Sequence, residues 1–520
     1  MLAPLVLAFI FMFGPRFFGP RLFGERYFGN GGVGAPAQTE FYVATGGNDG
    51  GAGTELAPWA TLSKASSGLS DGDTVYLNRG DTFAGQWIAS ADNLTLSTYG
   101  LAAANPIIDA TGESEGVREG DYDGGECIDI EVTSATGDGF GIYRNSSVGG
   151  NNWTLTRCEA HACGGAGATF NSDTTTSDAA RIVGTINGGD FYGNDDGISV
   201  TGGWNVVIQN ATVRDNIAAV DSDGINVAGT KNFTVENCSI YGNDGGASAD
   251  GIHVATGTTG GIIRWNRIYD NENADIILDD ATNNDCQIYY NLLGQAVGNS
   301  KYGIYLKSAT TTVYNNTIAG LYNTSGGAGI FVDEVATGDT ATIKNNLIAT
   351  ETQKCMAIDS GILGTVVLDY NSYYNPGNVI VDYEGTTYTD LSTYQAAEPT
   401  QDQNAVGTDP LFESSSDRQL QELSPCREAG TGVSLTLDYI GEMVPKGVAV
   451  DIGCYEMDLV LIATGPLDHE QVIRTVYDGV ALGVCHTGAA SGDEGTSPLD
   501  AEQVWKASFN ITEGKLRVVR

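Results

Sequence analysis

The chain has 520 residues, 71 of them glycine, and a formal net charge of −40. Glycine stands at about twice its usual ~7% share and charged residues fall below the ~25% norm, yet 41% of the chain is hydrophobic, which excludes a disordered polyelectrolyte. So acidic a balance excludes nucleic acid as a partner, because phosphates need a basic face, and it argues against an anionic membrane surface.

Met1 to Phe13 is apolar but too short for the roughly 20 residues that span a bilayer. The first basic residue, Arg16, follows the apolar run, the reverse of a secretory signal. Three copies of R-x-F-G come next, carrying Arg16 and Phe18, Arg21 and Phe23, and Arg26 and Phe28. Their period of five matches neither a helix nor a strand, so these aromatics need a surface other than their own chain. Repeats of this kind resemble segments of tailed-phage virion proteins. That resemblance implies an anchor at 1–37 that docks on a capsid, tail or other host assembly.

The next signal is an internal repeat. Asp196-Gly197-Ile198-Ser199-Val200, Asp223-Gly224-Ile225-Asn226-Val227 and Asp250-Gly251-Ile252-His253-Val254 recur at 27-residue spacing. Asp275-Ile276-Ile277-Leu278, Gly303-Ile304-Tyr305-Leu306, Gly329-Ile330-Phe331-Val332 and Ala357-Ile358 continue the series. A second series places Asn at 237, 266, 291, 316, 346 and 371. Short apolar-alternating strands separated by Gly, Asn and Asp turns predict a solenoid in which each strand pairs in parallel with its equivalent one coil on. The crossover preference makes it right-handed, and the Asn residues are expected to form an internal amide ladder.

Around these repeats a resemblance takes shape. Phe41-Tyr42-Val43-Ala44 and Pro58-Trp59-Ala60-Thr61-Leu62 resemble the opening of right-handed parallel β-helix proteins of the pectate-lyase-like superfamily, and Asp71 to Leu77 resembles their first rung after a short capping helix. Asp451-Ile452-Gly453-Cys454-Tyr455-Glu456 resembles the D-I-G-x-Y-E closing signature of bacterial surface β-helix proteins. The resemblance covers roughly residues 40 to 458 and implies an all-β right-handed parallel β-helix at 38–458. It leaves the chemistry open, because the superfamily holds lyases, hydrolases, epimerases, adhesins and tailspikes. Residues 459–520 break the rhythm and read as a small capping or oligomerisation module, with one or two strands around Glu513-Gly514.

Nine cysteines without a C-x-x-C pair give no metal framework. Cys158 and Cys163 around His161 lack a fourth zinc ligand and read as buried small hydrophobes, while Cys426 and Cys454 are a candidate bridge. The acidic column is the best place for chemistry. Asp195, Asp196, Asp221, Asp223 and Asp250 recur at coil spacing, and stacked carboxylates must protonate to some extent or take a cation such as Ca2+, unless each simply caps the backbone of its turn. The segments resemble calcium-binding stretches of β-helix pectate lyases, which implies Ca2+ neutralising a uronate and a Lys removing a proton. Lys307 is the first candidate base and Lys301 the second, with Asp223 beside the ion. A polygalacturonase-like reading fails for want of the Gly-His-Gly and Arg-Ile-Lys segments.

Tyr302, Tyr305 and Phe331 are candidate platforms for sugar rings. The reading preferred from sequence is a surface or virion-associated β-helix of tailspike, decoration or adhesin type, anchored by its amino terminus and displaying a glycan-interacting shaft. Its partners would be a polysaccharide or cell-surface glycan and the host assembly, its state a homotrimer, its place a virion or an extracellular surface. The alternative is a secreted Ca2+-dependent lyase of an acidic polysaccharide.

Overall fold

A computed structural model describes residues 39–457, apart from loops at 120–121, 145–151, 173–180, 218–220, 247, 295–299, 309, 321–325 and 351–352, together with four short strands between 475 and 519. The anchor residues Arg16, Phe18, Arg21, Phe23, Arg26 and Phe28 lie outside the described residues.

Each coil contributes one strand to a 13-stranded sheet and two short strands to a 23-stranded sheet that folds around a corner. In the 13-stranded sheet the D-G-I-x-V segments become strands Ile198–Thr201, Ile225–Ala228 and Ile252–Val254, paired in parallel and in register. One inward column runs Ile198, Ile225, Ile252, Ile276, Ile304, Ile330, Met356, Val381. Every member is buried, so each coil adds one aliphatic layer directly on the last, and this continuous stack is the core. Met356 holds the place that the sequence pattern gives to Ile358: two adjacent apolar residues, Met356 and Ala357, disguise the period-2 phase, and Ala357 pairs with Phe331 on the outside.

The corner between the paired short strands requires one residue in the left-handed region. Asn210, Asn237, Trp265, Tyr290, Asn315, Asn345 and Tyr370 hold it, with φ between 51° and 59°. The next residue points inward, and there the ladder forms. Asn266 donates from Nδ2 to Asn291 Oδ1 (3.0 Å), Asn291 to Asn316 (3.0 Å), Asn316 to Asn346 (3.0 Å), Asn346 to Asn371 (3.2 Å) and Asn371 to Asp402 (3.0 Å). Asn237 is not a member. It occupies the left-handed position itself and leaves Cys238 at the ladder site, where its backbone N–H donates to Asn266 Oδ1.

A second amide ladder, absent from the sequence expectation, supports the turn before the 13-stranded sheet. Asn216 Nδ2 donates to Asn243 Oδ1 (2.9 Å) and Asn243 Nδ2 to Asn271 Oδ1 (2.8 Å), while Asn194 N–H meets Asn216 Oδ1. It ends at fully buried Asp275, which accepts from Asn271, Ser300 Oγ and the Gly294 N–H.

Both solenoid ends are closed. At the first, strand Glu40–Val43 pairs with Thr74–Asn78, and the one-turn helix Leu62–Ala65, capped by the Thr61 side chain, buries Leu62 and Ala65. At the other, Val381–Tyr383 pairs antiparallel with Thr386–Tyr388, and helix Leu391–Ala397, capped by Asp390, buries Tyr394. That helix is not expected from the repeat, because it lies past the last coil. The D-I-G-x-Y-E segment then runs back along the ladder corner: Asn315 Nδ2 donates to the carbonyls of Asp451 and Gly453, Cys454 N–H donates to Thr317 Oγ1, and Gly453 N–H donates to the Asn345 carbonyl. Cys426 and Cys454 are both free and buried, so the candidate bridge does not form. In 459–520 the described strands Lys506–Asn510 and Lys515–Val519 pair antiparallel.

Candidate functional site

Side chains on the outer face of the 13-stranded sheet sit about 4.8 Å apart from coil to coil. The Asp before each Gly lies at the strand entrance. There Asp196 Oδ1 accepts the Asp223 N–H (2.9 Å), Asp223 Oδ1 accepts the Asp250 N–H (2.9 Å), and Asp250 Oδ1 accepts the Ala274 N–H (2.8 Å) and Asn273 Nδ2 (2.9 Å). Asp138 begins the column by accepting from Ala166 N–H, a member visible in sequence as Asp138-Gly139 before Phe140. The carboxylates therefore do cap the backbone of the next coil.

The column also carries a group that the sequence expectation passes over. His253, the variable residue of its D-G-I-x-V unit, places Nδ1 2.9 Å from Asp223 Oδ2, and its Nε2 faces Asp279 at 3.9 Å. Asp223 is fully covered, whereas 16% of the His253 side chain remains exposed. Burial lowers the His253 pKa, but the Asp223 hydrogen bond and charge outweigh it and raise the imidazole to about 9. Burial raises Asp223 above the ordinary carboxylate range, while the hydrogen bond and charge of His253 pull it back. Burial, then the Asp223 charge, pushes Asp250 well up, and burial with Asp223 lifts Asp196 to about 7.

Three to four coil steps beyond Asp223, the same face carries the aromatic group. Tyr302 and Phe331 stack with centroids 5.4 Å apart, and Tyr305 meets both edge-on at 5.2 Å. All three remain partly exposed, and Tyr305 donates its hydroxyl to Asp333. Lys301 lies 4.9 Å over the Tyr302 ring. Lys307 projects from the same strand in register with Asp279. Asp223 and Lys307 are separated by three coil steps, about 14 Å along the solenoid axis, and lie at opposite ends of their strands, so the structure does not bring these two candidate catalytic residues together.

Asp195 and Asp221 sit at the neighbouring corner, where burial raises Asp195 and Ser222 hydrogen-bonds to it. A calcium ion takes about six to eight oxygen ligands. Oxygens of Asp223 and Asp250 already receive backbone N–H groups, and the third group within 4.8 Å of them is an imidazole. The donor set at Asp223, Asp250 and His253 does not fit Ca2+.

Comparison with known proteins agrees with the fold. The family model for the right handed beta helix region matches residues 176–319. The solved structure of XylC with xylose is similar, with 12% identity, 81% of this chain and 99% of that chain covered, and a TM-score of 0.56. Pectate lyase Pel9A gives 16% identity, 82% and 98% coverage and a TM-score of 0.46, and alginate lyase from Paenibacillus sp. gives 17%, 59% and 95%, and 0.37. No curated protein matches the chain significantly. The class defined by coil, ladder and register is the right-handed parallel β-helix.

Proposed function

We propose that the outer face of the 13-stranded sheet binds a polysaccharide along the solenoid axis. One observation carries the reading: a partly exposed imidazole, hydrogen-bonded to a buried carboxylate, stands on the same face and two coil steps from a partly exposed cluster of three aromatic rings. Aromatic faces stack on the apolar side of sugar rings, while charged and amide groups in reach take their hydroxyl or carboxylate oxygens. The similar XylC, solved in complex with the sugar xylose, supports the same direction.

The natural context proposed is a surface- or virion-associated shaft of tailspike, decoration or adhesin type, attached through the Arg-aromatic-Gly segment and assembled as a trimer. Full-length protein and the Tyr305→Ala and Phe331→Ala variants, screened by affinity electrophoresis against neutral and acidic polysaccharides, test the binding. At least one glycan is expected to retard the parent protein, with about tenfold weaker retention in each variant, roughly 1.4 kcal/mol. No retardation by any glycan, or retention unchanged in both variants, overturns the reading. Oligosaccharide release in the same incubations, lost in His253→Ala, would make the shaft an enzyme rather than a display surface.

A further inference from the structure

We propose that Glu131, Glu159 and His161 form a binding site for a divalent transition-metal ion of the zinc type, on the outer face of the 23-stranded sheet. The site is independent of the glycan reading and lies on other strands.

Strand Asn152–His161 alternates strictly around its mid-strand turn. Cys158 and Ala160 face the core, while Glu159 and His161 face outward two residues apart. Parallel pairing sets Glu159 beside Glu131 on the preceding coil, and His161 beside Thr133. One ligand atom from each of Glu131, Glu159 and His161 falls within 4.8 Å of the other two, and all three residues are partly exposed. The two cysteines that flank His161 in sequence are buried on the opposite side and take no role in it.

The imidazole makes this more than a group of acids. Thr133 Oγ1 lies 3.4 Å from His161 Nδ1, and the ring stacks on Tyr192 at 4.9 Å. In the tautomer that keeps its proton on Nδ1, toward the threonine hydroxyl, Nε2 turns its lone pair toward Glu131 Oε1, 3.2 Å away, whereas in the other tautomer Nε2–H donates to Glu131. Two lone pairs at that distance repel unless a proton or a cation lies between them. The next carboxylate in the row, Asp190, is in register with Glu159 but already pairs through Oδ2 with Arg214 Nη2 at 2.8 Å, which leaves the imidazole and the two glutamates as the ligand set. One imidazole nitrogen with two carboxylate oxygens suits zinc-like ions, which accept mixed N/O ligands and keep a fourth position for water. It does not suit Ca2+ or Mg2+, which demand all-oxygen shells.

Calorimetric titration of the full chain with Zn2+ alone, and with Ca2+ and Mg2+ for comparison, tests the proposal. Co2+ added in place of Zn2+ reports ligand geometry through its visible absorption. One Zn2+-selective site is expected, with Co2+ bands displaced by Zn2+. His161→Ala and Glu159→Gln should each lower Zn2+ affinity by at least about 10–100-fold while circular dichroism stays that of the parent. Equal Zn2+ binding by parent and both variants, Ca2+ competing on equal terms, or a loss seen with His253→Ala instead would each overturn the assignment.

Discussion

His253 and Asp223 lie 30 residues apart in the chain and 2.9 Å apart in space, because one coil sets them on a diagonal. The same diagonal joins Tyr302 to Phe331 and Lys354 to Asp382, so it is a property of the coil rather than of one pair. The folded pKa of His253, about 9, stands above its unfolded value near 6.5. The stability that comes from the raised imidazole is therefore fully present below about pH 6.5 and lost as pH rises through about 9. The chain has only four histidines, which makes the imidazole resonances tractable by NMR. In Asp223→Asn the His253 titration should move down by more than one pH unit; an unchanged midpoint would show that Asp223 does not hold the proton there. Sequence reading found Asp223 through its repeat but missed His253, because in D-G-I-x-V the outward residue is the one that carries no pattern.

At the scale of the element, the ladders separate polar residues that look alike in sequence. Asn316 donates to Asn346 Oδ1 and to the Ile288 and Tyr314 carbonyls, and accepts from the Asn291 N–H and side chain, all at a buried corner. Asn237 is exposed and serves only the left-handed turn. Asn316→Ala should lose about 3 kcal/mol, since several buried groups lose partners at ~1–3 kcal/mol each, against about 1 kcal/mol for Asn237→Ala. Urea unfolding midpoints of the two variants check the order, and a reversal would remove the ladder from the account of stability. The main ladder was legible because its members recur every 25 to 30 residues. The second was equally periodic, yet its Asn residues sit among Asp and Gly that read as ordinary turns. Helix Leu391–Ala397 and the returning closing segment could not be read from rhythm at all, since their partners lie outside the local repeat.

For the whole molecule, buried acids outweigh the usual pattern of pH stability. Burial raises Asp196 and Asp275 to about 7, Asp402 and Asp451 to about 6, and Glu456 to about 8. Between the unfolded carboxylate range near 4 and these folded values, the native state holds protons that the unfolded chain has released, so stability falls as pH rises through that window. Self-repulsion at a net charge of −40 acts in the same direction and is relieved by salt. The thermal midpoint at constant ionic strength should be higher at pH 5 than at pH 8; a midpoint that climbs over that interval contradicts these protonation states. Parallel coil-to-coil pairing and most of the inward column followed from spacing, with Met356 in place of Ile358 the exception. Which outward residues meet did not, because Lys307 and Asp223 share a face in any reading and only a count of coils shows the distance between them.

The returning closing segment touches Tyr290, Asn315 and Asn345, corner residues of three successive coils. It acts as a splint laid across layers that are otherwise held only to their immediate neighbours. A pull or twist along the shaft must shear this splint before those layers can slide, so the carboxyl-terminal half should yield as one block while the coils ahead of it peel away singly.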